Sequence, residues 1–205
     1  ELARYFDVFE LLSPGSARDI YERCNSALAC PDFSARGLIE KSRVMAICTT
    51  DDPCDSLGHH AAIAADDSFS VKVLPAWRPD RAMMPELGEE FNNWVDSLGA
   101  SADTDIGSFS SFMAALHRRH DFFHEQGCRL SDHGIETFHA EDYTAAVIEN
   151  IFDKARSGRE LDSDEVAQFK SHMLYEFGVM DAGKSWVQQY HFGALRNNSG
   201  RLFKQ

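Results

Sequence analysis

Val71-Lys72-Val73-Leu74-Pro75-Ala76-Trp77-Arg78-Pro79-Asp80 passes within ten residues from an apolar run to a stiff, charged loop. A short β-branched run halted by proline reads as a strand, with the polar residues at its carboxyl end. The same order of signals recurs on both sides. Upstream, Val44-Met45-Ala46-Ile47-Cys48 reads as a buried strand running into Thr49-Thr50-Asp51-Asp52. Downstream, Cys128-Arg129-Leu130 leads into Ser131-Asp132-His133-Gly134, and Trp186-Val187-Gln188-Gln189-Tyr190 leads into His191, with Arg196-Asn197-Asn198 just beyond.

Helical signals fill the intervals. Ser13-Pro14 opens a helix carrying Ile20, Tyr21, Cys24 and Leu28 at helical spacing, and Ser34 begins a short one through Leu38 and Ile39. Asp52-Pro53 starts another to about Ala65. Residues 85–126 read as helical, with Phe109, Phe112, Met113, Leu116 and His120 at the 3.6-residue period and Gly127 as the stop. Two more helices span 141–156 and 163–182, parted at Gly158. Strands alternating with helices predict an α/β fold with parallel crossovers, the four strands being neighbours in chain order.

The chain's 205 residues suit one ordinary domain, and 43 % hydrophobic residues can bury a sizeable core. Lys+Arg 20 against Asp+Glu 33 leaves a formal net charge of −13, which disfavours nucleic acid and anionic membranes as partners. Any anionic substrate then needs a local arginine. No apolar run reaches the ~18–20 residues of a membrane span, and the opening Glu1-Leu2-Ala3-Arg4 is not a signal peptide. Five scattered cysteines without a Cys-x-x-Cys pair fit a reduced, cytoplasmic setting. The first residue is Glu rather than Met, so a piece of something longer is expected.

Chemistry-capable side chains follow each of the four strands, the edge that carries active sites in open parallel sheets and in (β/α)8 barrels. Each has two readings. Asp52 is most simply a helix cap, leaving Asp51 freer to act. Trp77 is a core residue or a site wall. Arg78 is a bidentate clamp for a carboxylate or the salt-bridge partner of Asp80. Asp132 and His133 form a structural pair, or serve as general acid/base or metal ligand. His191 is a hydrogen-bonded histidine or a site residue. His117, His120 and His124 share one helix face, but they read as a helix flank, since ligating histidines need a cleft and supporting partners. The adjacent His59 and His60 point to different faces.

Taken together, these stretches resemble one family. Cys48-Thr49-Thr50-Asp51-Asp52-Pro53, Asp55-Ser56-Leu57, Lys72 through Asp80, Gly127 through His133 and Trp186 through Asn198 look like uronate (glucuronate) isomerase, in the right order and nearly end to end. The resemblance implies membership of the amidohydrolase superfamily and a distorted (β/α)8 TIM barrel, of which this chain supplies about strands three to six. On that reading 1–205 is a single incomplete barrel domain. Its parts are leading helices (1–43), two βα units (44–80), a helical segment (81–126) and two further strands with intervening helices (127–205). The family's His-x-His metal motif and its last-strand aspartate do not occur in this chain.

The implied activity is aldose–ketose isomerisation of hexuronates, D-glucuronate to D-fructuronate and D-galacturonate to D-tagaturonate, through an enediol(ate). Asp132, His133 and His191 are the expected catalytic residues. Arg78, Trp77, Asp51, Thr50, Arg196 and Asn197 are the expected contacts to a small anionic sugar acid. A divalent metal such as zinc is implied for the full-length enzyme, with His133 and His191 as candidate ligands in this chain. The isolated piece is expected to be inactive and poorly soluble, and homo-oligomerisation is left open. The alternatives are a sister hydrolase of the same superfamily, an inactive fragment, or a sugar-acid binding module.

Overall fold

The computed structural model describes residues 1–193 and 199–202. They fall into two compact units, one of Glu1–Ile47 with Ile63–Lys72 and one of Cys48–Ala62 with the chain from Val73 onward. Among the described residues, no helix is long and apolar enough to cross a membrane.

The first unit carries helices α1 (Leu2–Phe6), α2 (Ala17–Leu28) and α3 (Ala35–Lys41). Tyr5 and Ser42 hydroxyls meet at 2.9 Å, and Arg36 pairs with Asp66 while lying over the Phe69 ring. Ser34 caps α3 by accepting from the Gly37 N–H, as expected of a serine before a helix. Helix α2 begins three residues later than Pro14, because the Ser13 and Ser16 hydroxyls close a local turn first. Of its expected apolar stripe only Ile20 is buried, and Tyr21 is 68 % exposed.

Four short strands follow: β1 (Ala46–Cys48), β2 (Lys72–Leu74), β3 (Leu130–Ile135) and β4 (Val187–Phe192). β1 and β2 are hydrogen-bonded neighbours, and β3 pairs with β4 in parallel, Leu130 opposite Val187 through Ile135 opposite Phe192. Trp77 joins the two pairs through parallel bridges to Asp51 on one side and Ser131 on the other. Its N–H donates to Leu130 O and its carbonyl accepts from Asp132 N, while Arg78 N donates to Asp51 O. The expected chain-order neighbourhood of the strands is therefore observed.

The boundaries differ in a consequential way. β3 does not stop at Leu130, since Ser131, Asp132, His133 and Gly134 lie inside it, and His191 lies inside β4. β1 is not a buried strand either: Ala46 and Cys48 are exposed and Met45 is 86 % exposed. It has a strand neighbour on one side only among the described residues, and so has β4. Asp52 caps no helix. Its Oδ1 accepts from Cys54 N in a local turn and both oxygens accept from the Trp94 indole, and the left-handed Leu57 then delays α4 to Gly58–Ala64.

The second unit's core is helical on one side of this row of strands. The 85–126 stretch is two helices, α5 (Glu89–Ala102) and α6 (Phe109–Glu125), parted by the left-handed Asp103 and restarted by a Ser108 capping box. Helices α7 (Ala145–Arg156) and α8 (Ser163–Lys184) complete the layer. Phe91 meets Phe112, Phe152 and Phe169 edge to face at 6.2–6.4 Å, Phe112 and Phe152 lie tilted at 5.1 Å, and Trp77 packs edge-on against Phe123. Burying aromatic rings of this size contributes most to holding the helices down.

Candidate functional site

Side chains alternate across a strand, so neighbours in β3 point to opposite faces. Asp132 and Gly134 share one face with Gln189 and His191 of β4. His191 Nδ1 lies 2.6 Å from Asp132 Oδ1, and Gln189 Nε2 lies 3.1 Å from His191 Nε2. The approach of His191 to Asp132 is close but poorly angled, and Oδ1 has no aligned hydrogen-bond donor in the protein. The contact is therefore a close approach rather than a directed hydrogen bond.

Arg78 reaches this same face. Its Nε donates to Asp80 Oδ2 at 2.9 Å, and its Nη1 lies 3.5 Å from Asp132 Oδ2. Asp80 Oδ2 also accepts from Gly134 N at 3.0 Å. A side chain at position 134 would collide with Arg78 Nη2, so the guanidinium lies directly on the glycine. Both readings of Arg78 meet at this point: one edge is tied to Asp80, and the rest is partly exposed beside Asp132. The Asp80 hydrogen bond pushes the guanidinium's pKa further up, against the opposing effect of partial burial. A cation fixed in this way is suited to a carboxylate.

The opposite face turns into the helical layer. Trp77 is fully buried, with its ring against Phe123 and His120. Asp51 is buried as well, its Oδ2 accepting from Thr49 Oγ1 at 2.6 Å and Ala76 N at 3.1 Å, with His60 Nε2 3.8 Å away. His133 stacks between Phe177 of α8 and Tyr190 of β4. Its Nε2 lies 3.0 Å from Ser131 Oγ, which donates to Asp181 of α8 at 2.6 Å. Burial lowers the His133 pKa, outweighing the opposite pull of Asp80, Asp181 and Asp132.

The expected site residues thus divide between two faces. Arg78, Asp132 and His191 come together, and the exposed Thr50 lies between Thr49 and Asp51, whose side chains meet on the helical side. Asp51, Trp77 and His133 point the other way, so they do not converge on one concave site with Arg78. Asp132 does not orient His133, its sequence neighbour, but approaches His191 instead. Arg196 and Asn197 lie outside the described residues. His117 is exposed, His120 is buried against Asp181, and His124 accepts from the Trp186 indole at 2.9 Å, so none lines the Arg78 face.

His133 and His191 are not a ligand pair. They sit on opposite faces, and His133 Nε2 is already engaged by Ser131. Among the described residues no three His, Cys, Asp or Glu side chains are grouped to hold a metal. These residues therefore do not by themselves fit the metal that the family resemblance implies.

Four further residues shape the two faces: Gly134, Gln189, Ser131 and Asp181. Nothing in composition marks them, because their roles come from register and from helix α8. Asp80 was visible only as a partner for Arg78. A cleft of about 480 Å3 lined by Met83, Glu86, Gly134, His139 and Lys170 opens beside Gly134. A larger cleft of about 760 Å3 is lined by Asp52, Asp55, Glu89 and Glu90 against one cation, Arg81, so it is acidic and poorly suited to an anion.

Comparison with known proteins agrees over the whole chain. The family described as glucuronate isomerase matches residues 1–205. The chain is 50 % identical over 204 residues to a uronate isomerase of Bacteroides thetaiotaomicron, covering 100 % of this chain and 43 % of the relative. It is 50 % identical over 205 residues to that of Cellvibrio japonicus, covering 44 % of it. The crystal structure of uronate isomerase from Thermotoga maritima superposes with a TM-score of 0.88 at 34 % identity, covering 100 % of this chain and 44 % of that one. That of glucuronate isomerase from Caulobacter crescentus gives 0.86 at 28 % identity, covering 99 % and 42 %. The chain spans less than half the length of the relatives it matches, and it belongs to the glucuronate isomerase family.

Proposed function

We propose that the protein containing this chain isomerises hexuronates, D-glucuronate to D-fructuronate and D-galacturonate to D-tagaturonate. The observation that carries this reading is the family match across residues 1–205. The chemistry of the Arg78 face agrees with it. On this reading the chain is part of a (β/α)8 barrel of the amidohydrolase superfamily, a single incomplete domain of cytoplasmic location, with the Arg78 face lining the barrel's mouth.

The overall reaction moves one hydrogen from C2 to C1 and one from O2 to O1 through an enediol(ate), with no net gain or loss. Arg78 binds the C6 carboxylate, its orientation fixed by Asp80 and by the close approach to Gly134. His191, held between Asp132 and Gln189 on the same face as Arg78, is placed to meet sugar hydroxyls, and an imidazole there suits hydrogen transfer between O1 and O2. A divalent metal such as zinc belongs to the proposal for the whole enzyme, and the roles of Arg78, Asp132 and His191 do not depend on it.

The test is turnover by the full-length protein of D-glucuronate and D-galacturonate, followed by appearance of the 2-keto sugar acid, with D-glucose as the substrate lacking a carboxylate. Conversion of a hexuronate and not of glucose is expected. Failure on both uronates, or activity only on an ester or amide, defeats the proposal.

A further inference from the structure

Behind the Arg78 face a continuous polar chain crosses the apolar core. His120 Nε2 lies 3.0 Å from Asp181 Oδ1, Ser131 Oγ donates to Asp181 Oδ2 at 2.6 Å, and His133 Nε2 lies 3.0 Å from Ser131 Oγ. All four side chains are buried, among Trp77, Phe123, Phe177 and Trp186. Polar groups are costly in such surroundings unless each finds its partner, so the network constrains its own geometry tightly.

Counting hydrogens fixes the direction of the chain. Ser131 has one hydrogen, and it goes to Asp181 Oδ2, which accepts it. Ser131 Oγ is left to accept from His133 Nε2–H, which makes His133 Nδ1 a bare acceptor. That Nδ1 has no partner in the protein, and it faces Asp80 Oδ1, equally buried and partnerless, at 4.0 Å. The choice of tautomer thus decides whether a lone pair or an N–H faces that Asp80 oxygen across the apolar surroundings. The other Asp80 oxygen holds Arg78 Nε and Gly134 N.

We propose that Asp181, Ser131 and His133 are positioning residues, which set the His133 tautomer and through it the orientation of Asp80 that presents Arg78 to the substrate. The inference rests on the reading of Arg78 as the carboxylate-binding residue. The charged groups around the His133 ring are Asp80 and Arg78 from the segment after β2, Asp132 of β3 and Asp181 of α8. The Gln188 amide stands 3.5 Å from His133 Nε2, too far to displace Ser131. With burial lowering its pKa, the ring is neutral near pH 7, so one tautomer must be chosen.

The experiment compares the full-length protein, labelled with 15N-histidine, with its Asp181→Asn and Ser131→Ala variants. In the wild type the His133 ring should be protonated at Nε2 and bare at Nδ1. In both variants that signature should be lost, and the KM for D-glucuronate should rise roughly 2- to 30-fold with a smaller change in kcat. A wild-type ring protonated at Nδ1, or any folded variant that keeps the wild-type ring signature or KM, overturns the inference. If the protein turns over no hexuronate, the proposed function falls and the ring signature alone decides the relay.

Discussion

His191 Nδ1 stands 2.6 Å from Asp132 Oδ1, diagonally across the parallel β3–β4 pair. The two residues are 59 positions apart in sequence, and only the register that sets Gly134 opposite His191 brings them onto one face. Asp132→Asn removes the carboxylate charge beside the imidazole while keeping the side chain's shape. If the pair moves a hydrogen during turnover, kcat of the full-length enzyme should fall about 10²-fold or more. Steady-state assays on D-glucuronate measure this, and a kcat within a few-fold of wild type would remove Asp132 from the mechanism.

Arg78→Lys replaces a planar fork by a point charge. Asp80 then loses its Nε partner and the carboxylate of a sugar acid loses its bidentate contact. A charge-assisted hydrogen bond of this kind is worth about 1.5–3 kcal/mol, so kcat/KM for hexuronates should drop roughly ten- to a hundredfold. An unchanged kcat/KM assigns the substrate carboxylate to another residue.

Gly134→Ala places a methyl group where Arg78 Nη2 now lies, and within 3.1 Å of Asp80 Oδ2. The guanidinium must move, or the strand must. Crowding of this type typically costs about 1–3 kcal/mol. A lower urea midpoint and a raised uronate KM are expected together, and a variant equal to wild type in both would show that Arg78 is not held over the glycine.

Acid stability should carry the mark of His133. Burial holds its pKa in the folded state below the ordinary value of 6.5. As the pH falls through about 6.5, the unfolded chain takes up a proton that the folded one refuses, and stability is lost. The loss continues until the pH passes the depressed folded value, below which both states are protonated. His133→Gln should flatten this part of a urea-midpoint against pH profile. An equally steep profile in the variant would mean that other groups govern the acid limb.

The alternation of strands and helices was legible because short apolar runs end in proline or polar residues, and a helix cap such as Ser34 announces itself locally. Asp52 misled because an aspartate before proline is the same signal whether it caps a helix or closes a turn against Trp94. The Trp94 contact comes from α5, 42 residues away, and no local pattern reports it.

By itself the sequence determined the order of the elements, the parallel α/β pattern and the stretches that mark the family, all of which depend on local composition and spacing. It also singled out Arg78, Asp132 and His191 as chemistry-bearing residues of the strand segments. What it left open was which face each residue occupies. Side chains alternate with a period of two, so one residue's uncertainty in where a strand ends reverses the assignment. The extension of β3 through Ile135 and its register with β4 resolved this, sending Asp132 toward His191 and Arg78 and turning His133 into the core beside Asp181. Those facings are set by hydrogen bonds to neighbouring strands and by packing against α8, both of them contacts between residues far apart in the chain.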